Sequence, residues 1–208
     1  MTVLYRVLVF LPVFYVLAGN LSAQDYETEN RKYPVPEHGE LVIDVPTSWE
    51  VTYVSLSEKK PAIITFYKKN EIGGEIFQLN ISVLWDDGFI RDITSPEHIR
   101  SVVENSGKEL LQNSVEKEIS LVPLDGLEGT GFYFNLTDAQ PRQGEFRYLT
   151  QGAIGVGEVL LIFSLFTNDL KSGYREKMLA MILSARHKLQ RQVQYVIPYL
   201  AGGKSIRE

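Results

Sequence analysis

Segments in which apolar and polar residues alternate account for much of the chain after residue 38. A period of two, in runs rich in Val, Ile, Tyr and Phe, is typical of half-buried β-strands. In residues 75–85, this alternation places Phe77, Leu79, Ile81 and Val83 on one side, which we predict to be buried. The pattern predicts about eight strands, at residues 40–45, 49–56, 62–69, 75–85, 117–124, 126–137, 145–157 and 159–167.

A first helix is predicted where the apolar spacing lengthens, at residues 94–114. Ser95 precedes Pro96 and Glu97, which is the order of an N-cap, a first-turn proline and a first-turn acid. Gly107 lies in the second half of this segment. Because a helical glycine costs up to about 1 kcal/mol relative to alanine, we expect the helix to bend or split there.

A second helix is predicted over residues 168–189, with Asn168 or Asp169 as its N-cap. Its candidate core face consists of Tyr174, Met178, Met181 and Ile182. The strands of the second half follow one another through short turns, which favours an antiparallel meander. Together these elements predict an α+β fold in which helices pack on an antiparallel β-sheet.

The stretch "VIDVPTSWEV" predicts a corner between two strands. Pro46 has no amide hydrogen to donate to a strand ladder, so the first strand ends there. Trp49 supplies a large apolar anchor where the next strand begins.

The N-terminal residues have the order of a secretory signal peptide. One positive charge at Arg6 precedes an apolar run at residues 7–18, followed by small and polar residues. We expect cleavage after Ala23, giving a signal peptide at 1–23, an extended lead-in at 24–38, a folded domain at 39–187 and a C-terminal tail at 188–208. An uncleaved anchor is the alternative, but the run is shorter than the roughly 20 residues that span a bilayer, and Pro12 interrupts it.

Composition narrows the location and the possible partners. The net charge of −5 and the isoelectric point near 5.4 provide no basic surface for nucleic acid. The absence of cysteine removes disulfides, thiolate catalysis and thiolate metal sites. We therefore expect a periplasmic or secreted domain that has no stable membrane span once the signal peptide is cleaved.

The order of several short motifs resembles a known superfamily. A strand is followed by "VPTSW", a hairpin, a helix that opens with "TSPE", then "GLEGTGFYF", "GEFRYLTQGAI" and a final "VLLIFSLFTND" with its helix. This order resembles the PsbP-like superfamily, which takes in PsbP, the Mog-type Ran-binding proteins and DcrB-type bacterial envelope proteins. The resemblance covers residues 39–187. It implies an α-β-α sandwich, and members that mostly bind or assist other proteins instead of catalysing reactions; no functional residue carries over.

Motifs for catalysis or for a cofactor are not recognisable in the sequence. His38, His98 and His187 lack the spacing of metal ligands. No G-x-S-x-G elbow is present. The "GAIGVG" stretch lies between two strands, with no helix after it to direct toward a phosphate, so it reads as a tight turn. We therefore predict no catalytic residue, no metal and no cofactor, and a chain that is not an enzyme.

The polar segment "TDAQPRQGEFRY" is the first candidate binding site. It places Asp138, Arg142, Glu145 and Arg147 around a hairpin tip, and loops held by rigid strands are common binding places. Arg142 is suited to pair with a carboxylate or phosphate of a partner. A solvated turn is the alternative interpretation.

The C-terminal stretch "VQYVIPYLAGG" is the second candidate site. Tyr195 and Tyr199 stand in an apolar cluster that would form a partner surface if it were exposed. Packing of this cluster back onto the domain is the alternative.

These features predict non-catalytic binding of a protein partner or small ligand in the cell envelope. Two alternatives remain: an envelope assembly or structural factor that acts through its C-terminal tail, and a cysteine-free hydrolase, which would need a polar pocket with a perturbed acid or base.

Overall fold

The computed structural model describes residues 26–54, 61–71, 73–86 and 92–189. Two sheets and two α-helices make up this part of the chain, so the predicted α+β fold is confirmed. The strands are β1 (Thr28–Val35), β2 (Gly39–Pro46), β3 (Glu50–Val54), β4 (Ala62–Lys69), β5 (Glu75–Trp85), β6 (Val122–Asp125), β7 (Thr130–Thr137), β8 (Tyr148–Val156), β9 (Val159–Thr167) and β10 (Arg186–Lys188). The helices are α1 (Pro96–Leu110) and α2 (Tyr174–Leu183). A short 3-10 turn at Leu111–Asn113 follows α1.

The larger sheet has seven strands in the order β3-β4-β5-β9-β8-β7-β6. All neighbouring strands in it are antiparallel, and β6 to β9 form the predicted meander. The smaller sheet has the order β1-β2-β10. Three of the predicted strands, β4, β5 and β9, have the bounds that the alternation predicts.

Each face of the larger sheet has its own core because successive side chains of a strand point to opposite faces. On one face, Phe77, Leu79, Ile81 and Val83 are buried as predicted. They pack with residues of the smaller sheet and of α2. On the other face, Ile99 and Val103 of α1 are buried against residues of β7, β8 and β9. The large sheet therefore lies between α1 on one side and α2 with the small sheet on the other.

The corner at Pro46 and Trp49 joins the two sheets. β2 ends at Pro46, whose carbonyl accepts a hydrogen bond from the Trp49 amide at 3.1 Å. Trp49 is buried, with its ring centroid 4.7 Å from that of Phe77. The chain thus leaves the small sheet and enters the large one around an aromatic anchor.

Helix α1 begins as predicted and continues through its glycine without interruption. The Ser95 hydroxyl accepts a hydrogen bond from the His98 amide at 3.3 Å, which confirms the N-cap. Gly107 is buried within the helix, and a Cβ there would lie 2.9 Å from the Ile119 side chain. The glycine therefore allows a close approach, and the predicted split of the helix at Gly107 was wrong.

The second helix is shorter than the sequence predicts. Asn168 and Asp169 do not cap it; the Asp169 carboxylate instead accepts hydrogen bonds from the Lys171 and Ser172 amides in a preceding turn. The residue before α2 is Gly173, at a φ of 71°. Met178, Met181 and Ile182 are buried as predicted, and Tyr174 is partly buried.

Two strands occupy segments for which no strand was predicted. β1 lies within the predicted lead-in and pairs with β2 along its whole length, so the folded unit begins before Gly39. β10 replaces the end of the predicted second helix and pairs with β2 at Val42, Leu41 and Glu40. Within the described residues, no helix is long and apolar enough to cross a membrane.

Candidate functional site

A polar cleft of about 630 Å³ lies at the end of the large sheet beside the C-terminus of α1. One wall is the loop that joins β7 to β8. The other wall is the 3-10 turn that follows α1. The lining residues are Gln112, Asn113, Asp138, Ala139, Gln140, Arg142 and Glu145.

Backbone hydrogen bonds hold the two walls together. Ser114 forms an isolated antiparallel bridge with Asp138. The Ala139 amide donates to the Asn113 carbonyl at 3.0 Å, and the Val115 amide donates to the Thr137 carbonyl at 2.9 Å. The cleft is therefore part of the folded framework, although its side chains are on loops.

Glu116 fixes the end of β7 behind the cleft. Its two carboxylate oxygens accept hydrogen bonds from the Thr137 amide and the Thr137 hydroxyl, each at 2.8 Å. Partial burial raises the pKa of Glu116, but these hydrogen bonds to the charged form outweigh it, so the pKa lies below its ordinary value.

Both acidic side chains of the loop are engaged by the loop's own backbone. The Asp138 carboxylate accepts a hydrogen bond from the Gln140 amide at 2.8 Å. The Glu145 carboxylate accepts one from the Arg142 amide at 2.9 Å, and the Glu145 amide donates to the Arg142 carbonyl at 3.0 Å. Because turns of this type are stabilised by such bonds, the acids shape the loop.

Unlike these two carboxylates, the Arg142 guanidinium is not held by the loop. Arg142 is exposed, and its side chain makes no ion pair with any residue that the structure describes. The primary amides of Gln112, Asn113 and Gln140 complete the lining, each with donor and acceptor atoms. The cleft thus presents one cation without an ion-pair partner, beside the amides of Gln112, Asn113 and Gln140 and the two carboxylates that the loop backbone engages.

The chain is similar to a cyanobacterial PsbP. The solution structure of PsbP (CyanoP) from Synechocystis sp. PCC 6803 matches it with a TM-score of 0.47 and 10% sequence identity, over 83% of this chain and 99% of that chain. No protein-family model and no curated protein matches the sequence.

Three of the six predicted binding residues lie together in this cleft: Asp138, Arg142 and Glu145. Arg147 belongs to the same loop but does not line the cleft. Its guanidinium lies 5.9 Å from the centre of the Tyr148 ring, and its amide donates to the Asn168 side chain at 2.7 Å. Tyr195 and Tyr199 lie outside the described residues, so the tail site stays a prediction.

The three histidines have separate surroundings. The His38 ring lies 5.3 Å from the Trp85 ring, and His98 occupies the first turn of α1. His187 accepts a hydrogen bond from the Glu158 amide at 3.3 Å through Nδ1, and its Nε2 lies 2.6 Å from the His38 carbonyl oxygen. No group of three or more His, Asp or Glu residues suited to a metal occurs in the described ranges.

The amide-bearing wall was missed by the sequence analysis. Gln112 and Asn113 lie in the last turn of the predicted first helix, where a polar pair is typical of an ordinary helix end. What brings them to Asp138 is the bridge at Ser114, which joins positions far apart in the chain. The only local signal was the polarity of the residues themselves.

Proposed function

We propose that this chain is an exported, non-catalytic binding protein of the cell envelope that contacts a protein partner through the cleft around Arg142. The observation that carries the proposal is the uncommitted guanidinium among neutral amides, in a loop whose own carboxylates already have backbone partners. Arginine is suited to anchor a partner because its planar fork binds carboxylate and backbone acceptors with defined geometry.

A protein partner fits this cleft better than a small molecule. Small-ligand sites are mostly concave, lined by apolar and aromatic side chains, and bury most of the ligand. Here Gln112, Asn113, Gln140, Arg142 and Glu145 are all exposed and polar. Such residues are typical of the polar rim of a protein interface. A small ligand remains the alternative that the experiment below must separate.

The export part of the proposal rests on residues 1–23, with Arg6 ahead of an apolar run. We expect the chain recovered from a periplasmic fraction to begin at Gln24. Intact-mass measurement of that chain tests this step independently of any binding result. A full-length mass in the membrane fraction would favour the uncleaved anchor instead.

Crosslinking capture from the native cell envelope tests the binding step. The wild-type chain is compared with Arg142→Glu and with Lys171→Glu, which makes the same charge reversal on an exposed turn elsewhere. We expect a partner protein to be retained by the wild type and Lys171→Glu and lost from Arg142→Glu. Equal capture by all three chains would contradict the role of the cleft.

The same experiment includes a chain that ends at Leu189. Loss of the partner on this truncation, with no effect of Arg142→Glu, would favour the assembly factor that acts through its tail. If no chain captures a protein, a small-ligand screen with Arg142→Glu as the negative control becomes the test of the alternative.

A further inference from the structure

A lysine occupies an inward position at one end of β4. Ile64 and Phe66 of this strand point into the apolar cluster beneath α2 and the small sheet, and Lys68 follows them at the same spacing. Its register partner in β5 is the buried Phe77. Natural proteins depart from such local patterns mainly at functional sites. The surroundings of the half-buried Lys68 therefore decide what its charge does.

The Tyr174 ring brings this lysine together with a second one. Tyr174 is the first residue of α2. The Lys68 and Lys177 ammoniums each lie 5.9 Å from the centre of its ring. The Lys177 ammonium also lies 5.3 Å from the centre of the Tyr26 ring. We call Lys68, Lys177, Tyr26 and Tyr174 the two-lysine site; three separate parts of the chain contribute to it.

Packed rings hold the centre of the two-lysine site in place. The Tyr174 ring centroid lies 5.0 Å from that of Phe77, which in turn lies 4.7 Å from that of the buried Trp49. The ring that the two ammoniums share is therefore anchored to the core. A site that is ordered before its ligand arrives loses less entropy on binding.

No carboxylate of the described residues neutralises the two lysines. Neither Lys68 nor Lys177 takes part in an ion pair there. Acidic residues of the neighbouring segments are exposed: Glu27, Glu71, Glu75, Asp169 and Glu176. Of these, Glu176 pairs with Arg175, and Asp169 accepts hydrogen bonds from turn amides. Two like charges that share one ring repel each other, and an anion bound between them would remove this repulsion.

We propose that Lys68 and Lys177 bind a phosphate group beside the Tyr174 ring. An ammonium is a point charge with three donors, which suits a phosphate, whereas a planar carboxylate is matched better by the fork of arginine. A phospholipid headgroup and a free phosphate both supply this group, and the experiment below distinguishes them. The site is separate from the Arg142 cleft and does not rest on the function proposed for that cleft.

An NMR titration of the full chain with inorganic phosphate, at constant ionic strength, tests binding of the free anion. We expect saturable shifts of the Lys68, Tyr174 and Lys177 amides in the wild type. The double variant Lys68→Gln/Lys177→Gln should bind roughly tenfold more weakly or worse, because it loses two charge-assisted contacts. Lys171→Gln removes a charge from an exposed turn nearby and should stay within about twofold of the wild type.

Co-sedimentation with lipid vesicles tests the headgroup source. Vesicles of phosphatidylglycerol are compared with vesicles of phosphatidylcholine, which have the same apolar interior but no net charge. If the ligand is a headgroup, the wild type prefers phosphatidylglycerol, the double variant loses the preference, and inorganic phosphate gives no saturable shift. If the ligand is a free phosphate, the NMR shifts saturate and the two kinds of vesicle bind equally.

Three results would overturn the proposal. The first is a wild type that binds inorganic phosphate and phosphatidylglycerol no better than the double variant. The second is an equal loss in Lys171→Gln, since net charge would then explain the binding. The third is a set of shifts confined to the loop around Arg142. Urea unfolding checks that the double variant is folded, and Lys177→Gln alone, which leaves β4 unchanged, gives the same test if it is not. Arg142→Glu should bind phosphate as the wild type does, so the two proposals can fail separately.

Discussion

The two faces of the large sheet are built from the same strands but differ in what their side chains do. In β4, Ile64 and Phe66 are fully buried under the small sheet and α2, while Ile63 is 40% exposed on the other face. In β5, the buried Phe77 and Leu79 alternate with the half-buried Gln78. One face carries most of the large buried side chains, and the other carries a more exposed surface and the cleft.

This difference separates the residues that stabilise the fold from those that are free to bind. The first face, which we call the core face, joins the two sheets and α2 in one apolar cluster. The second face, the α1 face, is packed only where the helix lies. Substitutions on the core face should therefore change stability, whereas those on the exposed part of the α1 face should change association.

The largest effect is expected for Phe77→Ala on the core face. The Phe77 ring is fully buried, with centroids 4.7 Å from Trp49 and 5.0 Å from Tyr174. We expect the free energy of unfolding to fall by about 3–5 kcal/mol, because the deletion leaves a cavity in packed surroundings. Urea denaturation measures it.

Phe166→Ala is the matched substitution on the α1 face. Phe166 is half-buried and stacks on Phe146 at 6.3 Å between ring centroids. We expect a clearly smaller loss of unfolding free energy than for Phe77→Ala. If the two substitutions lower the free energy of unfolding equally, the proposed difference between the faces is wrong.

An intermediate effect is expected for His187→Ala. The wild-type His187 side chain links the small sheet to a turn of the large sheet. The substitution removes the hydrogen bonds to the Glu158 amide and the His38 carbonyl. Each lost bond costs about 1 kcal/mol, so we expect a decrease of about 2 kcal/mol in thermal or urea unfolding. His98→Ala is the control: His98 is half-buried in the first turn of α1, and its substitution should cost less unfolding free energy than His187→Ala.

The smallest stability effect is expected at Glu116, and it depends on pH. Because folding lowers its pKa, Glu116 contributes stability above its unfolded pKa and loses it as the pH falls through the folded pKa. Glu116→Gln should therefore lower the melting temperature at neutral pH and match the wild type in acid. Melting curves over this pH range test it; a pH-independent difference would contradict the assignment.

Much of this arrangement follows from the sequence where local signals are strong. β4, β5 and β9 are rich in β-branched and aromatic residues, so their bounds were predicted, and the alternation in β5 also predicted its buried face. The N-cap at Ser95 was predicted for the same reason, since its hydroxyl, Pro96 and Glu97 act within one turn.

The remaining elements depend on partners far along the chain. β1 contains Pro34 and several charged residues, and it becomes a strand by pairing with β2 at the edge of the small sheet. β10 has only three residues and forms against the same strand. No periodicity identifies strands of this kind, because tertiary pairing decides them.

The glycines of β7 and β8 show the same dependence on tertiary structure. A Cβ at Gly152 would lie 2.4 Å from the Phe132 carbonyl oxygen and 2.6 Å from the Phe163 ring. In the sequence, Gly152 is only a glycine inside a predicted strand. Its reason is the close approach of the β7 backbone and of Phe163, which exists only in the folded protein. The cleft also depends on tertiary structure. Its loop wall was predicted from the sequence, and its wall at Gln112 and Asn113 was not.

The most direct test of the central claim, that the α1 face binds and the core face supports, is site-specific photo-crosslinking. A photo-crosslinking residue is placed at Gln143 in the cleft loop and, in a matched variant, at Ala180 on α2; both positions are exposed. We expect crosslinks to another envelope protein from position 143 and none above background from position 180. Crosslinks from position 180 alone would contradict it.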